Sequence, residues 1–440
     1  MATEHKPLFN PLYLKALIMI LPVLIIVFAS LGPKAASYPE IGHSKTQQLY
    51  WIEQPDRPDN ELRLLLPAAV ALDPEQRVLQ QTLAALLQQR LHQPALQTLL
   101  TPVQDTQVTA LSDHLQINLR WPAGEKLPEL NAVLQALQQT PESAAAAAAL
   151  ARVRAQAYLE GQDPAQRLLN RLLQRLQQQT QQAGTRAIST ADVLQQYHQL
   201  FAQAPLLILG GPDADPLAEK LNSADDFDGV SGAERSRPLR HAKQHNSAPV
   251  QPLKLQLSDA RLPAMYLLGA SMPGRDAEDY AAHLLAIRSL QRALELRPDA
   301  AGHYRLVWQQ SRDSGYRALI LDGQPARAQT LAEKVQLTAA APVDKTAMEL
   351  IDSPVIDTAV INAGLIDDTR QLLLQQLRQQ LQTPQGQLDQ LTTLAFNNLT
   401  GQRLDTILDQ LQAVPGDDIG PRIAHYLAPE TQILITLNGQ

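Results

Sequence analysis

One order of structural elements occurs twice in this chain, in two halves that start about 200 residues apart, and the fold must accommodate that repeat. In the first half, the apolar segment ELRLLLPAAV (61–70) precedes DPEQRVLQQTLAALLQQRL (73–91), where apolar residues recur at helical spacing after Asp73 as N-cap. In the second half, AMYLLGASM (264–272) precedes the amphipathic segment DAEDYAAHLLAIRSLQRALEL (276–296). Each half is therefore predicted to open with a strand followed by a helix.

The closing segments of the two halves match in the same way. ISTADVLQQYHQLFAQAPLLILGG (188–211) and VPGDDIGPRIAHYLAPETQILITLNG (414–439) each predict a capped helix, a break, an apolar strand and a glycine turn. In the second of these segments the cap is Asp417 or Asp418, and the strand is Ile433–Leu437. Because both ends of the halves correspond, we interpret the chain as a domain duplication.

Long helices are predicted between these ends, over 143–161 and 368–383. The stretch 222–252 is polar, contains Gly, Pro and Ser, and lacks apolar periodicity, so it is predicted to be a linker. The prediction is an α+β chain with a first domain at 45–221 and a second domain at 253–440.

An uncharged run precedes the first domain. The 18 residues ALIMILPVLIIVFASLGP (16–33) are about as long as needed to cross a hydrocarbon core of roughly 30 Å. Lys6 and Lys15 precede the run and Lys34 follows it, which favours a cytoplasmic N-terminus. Residues 1–44 are thus predicted to be a cytoplasmic stub, a transmembrane helix and a short spacer. A cleaved signal peptide is the alternative, since KAAS after the run offers small residues for cleavage.

Composition excludes several classes of function. The net charge of the chain is −7 and no long basic run occurs, so nucleic acid is not expected as a partner. The chain contains no cysteine, which excludes disulfides, thiolate metal sites and a cysteine nucleophile.

The order of elements, together with the segment LRPDAAGHYRL (296–306), resembles the insulinase-type or pitrilysin zinc metallopeptidases. This resemblance implies two homologous domains, each a mainly antiparallel sheet covered by helices. It also implies that Arg297 and Tyr304 bind substrate, because the family has an arginine and a tyrosine at this spacing. Gly302 lies one place later than in the family, and Pro298 is a further departure. The alternative is structural: an arginine near the negative end of a helix dipole, and a tyrosine that starts a strand.

The zinc motif of the family, His-x-x-Glu-His on the first helix, is missing. The segment 73–91 contains no histidine, His92 follows it, and Glu75 is its only glutamate. A later helix offers only Glu160 as a further ligand. HAKQH (241–245) has the two-histidine spacing, but it lies in the linker with glutamine in place of the glutamate. We therefore expect no metal, no cofactor and no catalytic residue of the family type.

These features favour a non-catalytic partner of a zinc-containing insulinase-like peptidase subunit, which helps to bind extended polypeptide substrate. The alternative is a membrane-anchored scaffold or adaptor without any role in proteolysis. An enzyme with a different active site has less support, since the sequence contains no G-x-S-x-G elbow. The expected location is a bacterial inner membrane, with a single pass and the body in the periplasm.

Fusions at the C-terminus test this topology. The lysines before residues 16–33 favour a cytoplasmic N-terminus and an exported body. A C-terminal alkaline phosphatase fusion should therefore be active. A C-terminal green fluorescent protein fusion should not fluoresce, because it would be exported with the body. Fluorescence of the second fusion would reverse the predicted topology.

Overall fold

The computed structural model describes residues 38–44, 48–68, 71, 74–179, 187–202, 204–223, 253–258, 265–296, 304–312, 314–322, 361–399, 401, 403–427 and 432–438. The predicted membrane segment 16–33, nearly all of the linker 222–252, Asp73 and Arg297 lie outside these residues. Within the described ranges, no helix has both the length and the apolar character needed to cross a membrane. From Glu40 onward the described residues belong to one compact unit. The boundaries of the two domains stay a prediction.

The first half contains six strands and seven helices among its described residues. The strands are β1 (Gly42–His43), β2 (Leu49–Glu53), β3 (Asp59–Pro67), β4 (Asp105–Ala110), β5 (His114–Pro122) and β6 (Leu206–Gly211). The helices are α1 (Pro74–Leu91), α2 (Pro94–Leu99), α3 (Leu130–Gln138), α4 (Ser143–Glu160), α5 (Pro164–Gln179), α6 (Thr190–Leu200) and α7 (Ala214–Ser223).

The described residues of the second half form five strands and five helices. The strands are β7 (Leu253–Ser258), β8 (Met265–Pro273), β9 (Tyr304–Gln310), β10 (Ser314–Asp322) and β11 (Ile433–Asn438). The helices are α8 (Tyr280–Glu295), α9 (Ala363–Leu381), α10 (Pro384–Phe396), α11 (Thr406–Ala413) and α12 (Ile419–Leu427), with a 3₁₀ turn at Gly416–Asp418.

Each half forms one sheet, and the two sheets share a topology. The strand orders are β1-β2-β6-β3-β5-β4 and β7-β11-β8-β10-β9. In each sheet the first long strand pairs in parallel with the last strand of its half, β2 with β6 and β7 with β11. All other pairings between the described strands are antiparallel. The predicted α+β architecture of two similar halves is confirmed.

Most predicted elements occur near their predicted positions, and two start elsewhere. The second-half helix predicted from residue 276 begins at Tyr280, because the backbone N–H groups of Arg275 and Asp276 donate to Ser311 O and Arg312 O at 3.0 and 3.1 Å. The helix predicted over 368–383 begins earlier, at Ala363. There the Asn362 side chain accepts a hydrogen bond from the backbone N–H of Leu365 and caps the helix.

One face of the first sheet packs on helices of its own half. Alternate residues of β3 and β5, such as Leu64 and Ile117, face α1, α3, α4 and α6 in a continuous apolar core. Residue Trp121 is completely buried in this core. The opposite face of the sheet therefore needs a different cover.

Each half supplies a helix that covers the open face of the sheet in the other half. Helix α5 of the first half places Leu168 and Leu172 against the second sheet, where they contact Leu267, Ile435 and other apolar residues. A Cβ atom on Gly269 of β8 would lie 2.4 Å from Leu172 Cδ2, so the missing side chain allows this close approach. A helix of the first half thus covers this face of the second sheet.

The reciprocal helix is α10 of the second half, which lies against β2 and β6 of the first sheet. A Cβ atom on Gly210 would lie 2.8 Å from Leu388 Cδ1, so a glycine again allows the helix to approach the sheet. The Phe396 ring packs on His114 with 4.1 Å between ring centroids. The two halves therefore cannot bury their sheets independently of one another.

A buried ion cluster joins α10 to the first sheet. Arg63 of β3 donates from Nε to Glu61 Oε1 at 2.8 Å, and it reaches Asp389 Oδ1 at 2.7 Å and Thr392 Oγ1 at 3.0 Å. Glu61 also accepts a hydrogen bond from Arg57. Burial alone would raise the pKa of Glu61, but the two guanidinium groups outweigh it and hold the pKa below its usual value. Both Glu61 and Arg63 are nearly inaccessible to solvent.

The variant Arg63→Met should be destabilised by ~3 kcal/mol, because it leaves Glu61 buried with less compensation and removes two contacts to α10. Urea denaturation of the purified full-length chain measures the free energy of unfolding. The exposed pair Arg403–Asp409, 72% and 66% accessible, provides the control. Arg403→Met should cost under about 1 kcal/mol. Equal losses in the two variants would contradict a stabilising role of the cluster.

Candidate functional site

Helix α1 occupies the position of the zinc-binding helix in the predicted plan, and its side chains do not fit a metal. Its buried polar residues are Gln80 and Thr82, which bond within the protein to Ser112 O and Val78 O. The carboxylate of Glu75 accepts a hydrogen bond from the backbone N–H of Ile188 at 3.0 Å. Zinc requires at least three convergent nitrogen, oxygen or sulfur donors, and α1 does not supply them.

The other candidate ligands of the first half lie apart from one another. His92, just after α1, hydrogen-bonds through Nδ1 with the Gln88 backbone carbonyl at 2.7 Å. Glu160, at the end of α4, accepts from Gln156 Nε2 at 3.0 Å. Within the described ranges, no three His, Cys, Asp or Glu residues are grouped to hold a metal ion. The segment 241–245 lies outside the described residues.

Tyr304 is the predicted site residue whose position the structure describes. It opens β9, as the sequence predicted, and pairs with Leu321 of β10. Among the described strands, β9 forms one edge of the second sheet. Burial, with a smaller contribution from the Glu295 carboxylate, raises the pKa of Tyr304. The phenol is therefore protonated at neutral pH and can donate a hydrogen bond.

Arg297 lies outside the described residues, so its placement beside Tyr304 stays a prediction. Its neighbour Leu296 is the C-cap of α8, and β9 begins at Tyr304. The predicted context, a helix end followed by a strand start, is confirmed on both sides of the intervening segment.

The structure also brings together a polar cluster that the sequence analysis missed. His283, on the first turn of α8, hydrogen-bonds through Nδ1 with the Tyr426 hydroxyl of α12. Its Nε2 lies 3.3 Å from Asp279 Oδ2, and Arg422 donates to the same oxygen at 2.6 Å. The Arg317 guanidinium of β10 lies over the Tyr426 ring, 5.0 Å from its centroid. Two helices and one strand therefore meet at this cluster.

Local spacing was the available signal for this cluster. Asp279 and His283 are four residues apart at the start of α8, and Arg422 and Tyr426 have the same spacing in α12, so each pair shares one helix face. Nothing in the sequence indicates that the two faces meet. Residues 143 positions apart form the contacts, which makes them invisible to a local pattern.

The protonation state of the cluster limits its chemistry. Burial lowers the pKa of His283 despite the opposing effect of Asp279, so the imidazole is neutral at pH 7. A neutral ring satisfies both contacts when Tyr426 donates to Nδ1 and Nε2–H donates to Asp279. Neither nitrogen then remains to accept a proton from a substrate, which argues against a general base at this position.

Comparison with known proteins identifies the fold of the chain but no family or sequence relative. No protein-family profile matches the chain, and no curated protein sequence matches it. An inactive domain of an M16 peptidase from Pseudomonas fluorescens matches with a TM-score of 0.60 at 16% identity, over 91% of this chain and 98% of that chain. Pitrilysin matches with a TM-score of 0.59 at 15% identity, over 93% of this chain and 44% of its own.

The periplasmic protease PqqL from Escherichia coli matches with a TM-score of 0.56 at 13% identity, over 92% of this chain and 48% of that chain. This chain thus spans about half the length of pitrilysin and of PqqL. At these identities the likeness shows the fold alone. The chain has the fold of M16 peptidase domains, which confirms the predicted insulinase-like architecture.

The purified chain should bind less than about 0.1 zinc per molecule after dialysis against a weak chelator, because α1 lacks the two histidines and the base. Elemental analysis with a parallel protein assay measures the ratio. One zinc per chain that resists the chelator would show that ligands elsewhere in the sequence form a site.

Proposed function

We propose that this chain is a non-catalytic, membrane-anchored partner subunit of a zinc metallopeptidase, and that it helps to bind extended polypeptide substrate. The donor set of α1 carries the proposal. Because the first helix of this M16-like fold offers zinc no convergent ligands, the zinc for peptidase chemistry would come from a second chain.

The length relation to pitrilysin and PqqL supports a second chain. Both contain about twice the length that this chain matches, so each has room for two bodies of this size. A complex of this chain with a zinc-containing subunit would assemble the same amount of M16-like fold from two polypeptides. In that complex the partner supplies the metal and the nucleophilic water, and this chain supplies binding surface.

The edge strand β9 is the proposed surface for the polypeptide. An extended peptide can pair with the edge of a sheet through main-chain hydrogen bonds, while side chains at alternate positions give selectivity. Tyr304 lies at the start of this edge with a protonated phenol. The phenol can donate to a substrate carbonyl oxygen, and a donor at that place stabilises an oxyanion if the carbonyl is attacked.

The proposed membrane anchor and periplasmic location are based on the sequence alone. Residues 16–33 would hold the complex at the inner membrane, where the substrate would be an exported polypeptide. A scaffold or adaptor without any role in proteolysis is the competing reading.

Substitutions at the edge strand separate the two readings. In the native complex, Tyr304→Phe or Arg297→Ala should lower the peptidase rate of the partner ~10- to 1000-fold, because each removes a hydrogen bond worth ~2–4 kcal/mol in the transition state. Arg305→Ala is the matched control, since Arg305 is exposed and its side chain points to the opposite face of β9. The control should leave the rate unchanged.

Co-purification and thermal denaturation on the same complexes complete the test. Both site variants should retain the partner and a thermal midpoint within about 2 °C of wild type, which corresponds to under 1 kcal/mol. Full peptidase activity in both site variants would overturn a substrate-binding role and favour the adaptor. Loss of activity together with loss of the partner would indicate an assembly defect and also favour the adaptor.

A further inference from the structure

Arg317 lies in the middle of β10 and is 3% exposed. Its Nε has no hydrogen-bond partner, and no ion pair joins its guanidinium to any described carboxylate. Within the described part of the chain, the guanidinium has a cation–π contact with the Tyr426 ring. A buried guanidinium has five N–H donors and costs several kcal/mol when they lack acceptors.

A second unsatisfied donor lies beside it. Trp308 of β9 pairs directly with Arg317 of β10, so the two side chains lie on the same face with Cβ atoms about 5 Å apart. The Trp308 indole Nε1 is also buried without a hydrogen-bond partner. On the other side, Arg317 pairs with Ala270 of β8, whose methyl group occupies little space. Two donors without acceptors therefore converge next to a small side chain.

The nearby charges do not satisfy Arg317. The Asp279 carboxylate is held by Arg422 at 2.6 Å and lies 3.3 Å from His283 Nε2. Burial lowers the pKa of Arg317 to about 10, so the side chain still carries its charge at neutral pH. An uncompensated cation in this setting favours an anion as a partner.

We propose that Arg317 and Trp308 form a binding site for a carboxylate group. A carboxylate can accept two parallel hydrogen bonds from a guanidinium, and the indole N–H adds a third donor to the same anion. The Tyr426 ring lies 5.0 Å from the guanidinium carbon, and Nε has no hydrogen-bond acceptor. Among the described strands β9 is the edge of the sheet, so a ligand would reach the donors past Trp308 and the Tyr280 ring that stacks on it at 6.3 Å.

The same chemistry has two sources: a small free carboxylic acid, or the C-terminal carboxylate of a polypeptide. The site lies on the face of the second sheet that also carries Tyr304, four residues before Trp308 on β9. A polypeptide source would place its C-terminus near the proposed substrate edge. The inference itself rests on the unsatisfied donors and does not depend on a role in proteolysis.

Titration of the full-length chain with N-acetylalanine tests the site, and the neutral amide of the same compound serves as ligand control. The chain has three tryptophans, so the Trp308 indole N–H signal can be assigned in a ¹⁵N–¹H spectrum from the variant Trp308→Phe. The acid should shift this signal and raise the thermal midpoint, and the amide should do neither. A hexapeptide with a free C-terminus, compared with its C-terminally amidated form, distinguishes the polypeptide source from the small acid.

Variants define the donors. Arg317→Met should abolish the shift and raise the thermal midpoint of the ligand-free chain, because an uncompensated buried cation is replaced by an apolar side chain. Trp308→Phe should weaken binding of the acid about tenfold, which is monitored by the thermal midpoint. Arg292→Met is the control, because it removes an exposed arginine of α8 whose side chain is 46% accessible. This variant should bind the acid with the affinity of the wild type.

Three results would overturn the proposal: no ligand-dependent shift at the Trp308 indole, equal shifts with acid and amide, or equal binding in Arg317→Met. A lowered midpoint of ligand-free Arg317→Met would also overturn it, because the guanidinium would then be compensated within the chain and serve stability. If that variant does not fold, unchanged affinity in Trp308→Phe is the result that rejects the site.

Discussion

The exchange of α5 and α10 between the halves is the contact on which the rest of the structure depends. Each half covers one face of its sheet with its own helices and leaves the other face to a helix from the other half. Leu172 of α5 reaches Gly269, and Leu388 of α10 reaches Gly210. Burial of apolar surface is the main driving force for folding, so neither half can gain it fully without its counterpart. The compact unit from Glu40 onward follows from this exchange.

The contacts that α5 and α10 make with the opposite sheets differ in chemistry. This difference determines which helix packs on which sheet. Helix α5 meets an apolar face, whereas α10 meets the buried Glu61 and Arg63 and supplies Asp389 and Thr392 to the arginine. An apolar helix on the first sheet would leave Arg63 short of acceptors, which is costly for a buried charge. We infer that the ion cluster favours α10 over an apolar helix as the cover of the first sheet.

The sequence predicted the elements well and their partners poorly. Helical spacing of apolar residues indicated α1 and α8, and strand-length apolar runs indicated β3 and β8, because these signals depend only on neighbours in the chain. Periodicity shows that a face is buried and does not show what covers it. Arg63 alternates with leucines and would read as a solvent-facing residue of a half-buried strand, yet α10 covers it.

The same limit applies to the candidate sites. Tyr304 was predictable because one segment carries the resemblance, and its position at the start of β9 follows from local sequence. The contacts of His283 with Tyr426 and of Trp308 with Arg317 join separate segments, so they required the tertiary structure. The aliphatic residues around Arg317 indicate a buried strand, but the local sequence does not indicate which residues contact the arginine.

A binding site built from the unsatisfied donors at Arg317 requires stabilising contacts elsewhere in the fold. A buried, uncompensated charge costs several kcal/mol, a large share of the roughly 5–15 kcal/mol that separates folded from unfolded domains. The exchanged helices and the Arg63 cluster stabilise the unit at the faces of the sheets that lie away from Arg317. In the second sheet, the apolar contact with α5 and the proposed binding site therefore lie on opposite faces. The proposed site on the α8 face of the second sheet would take its acceptor from outside the chain, whereas the corresponding α1 face of the first sheet is packed mainly with apolar side chains.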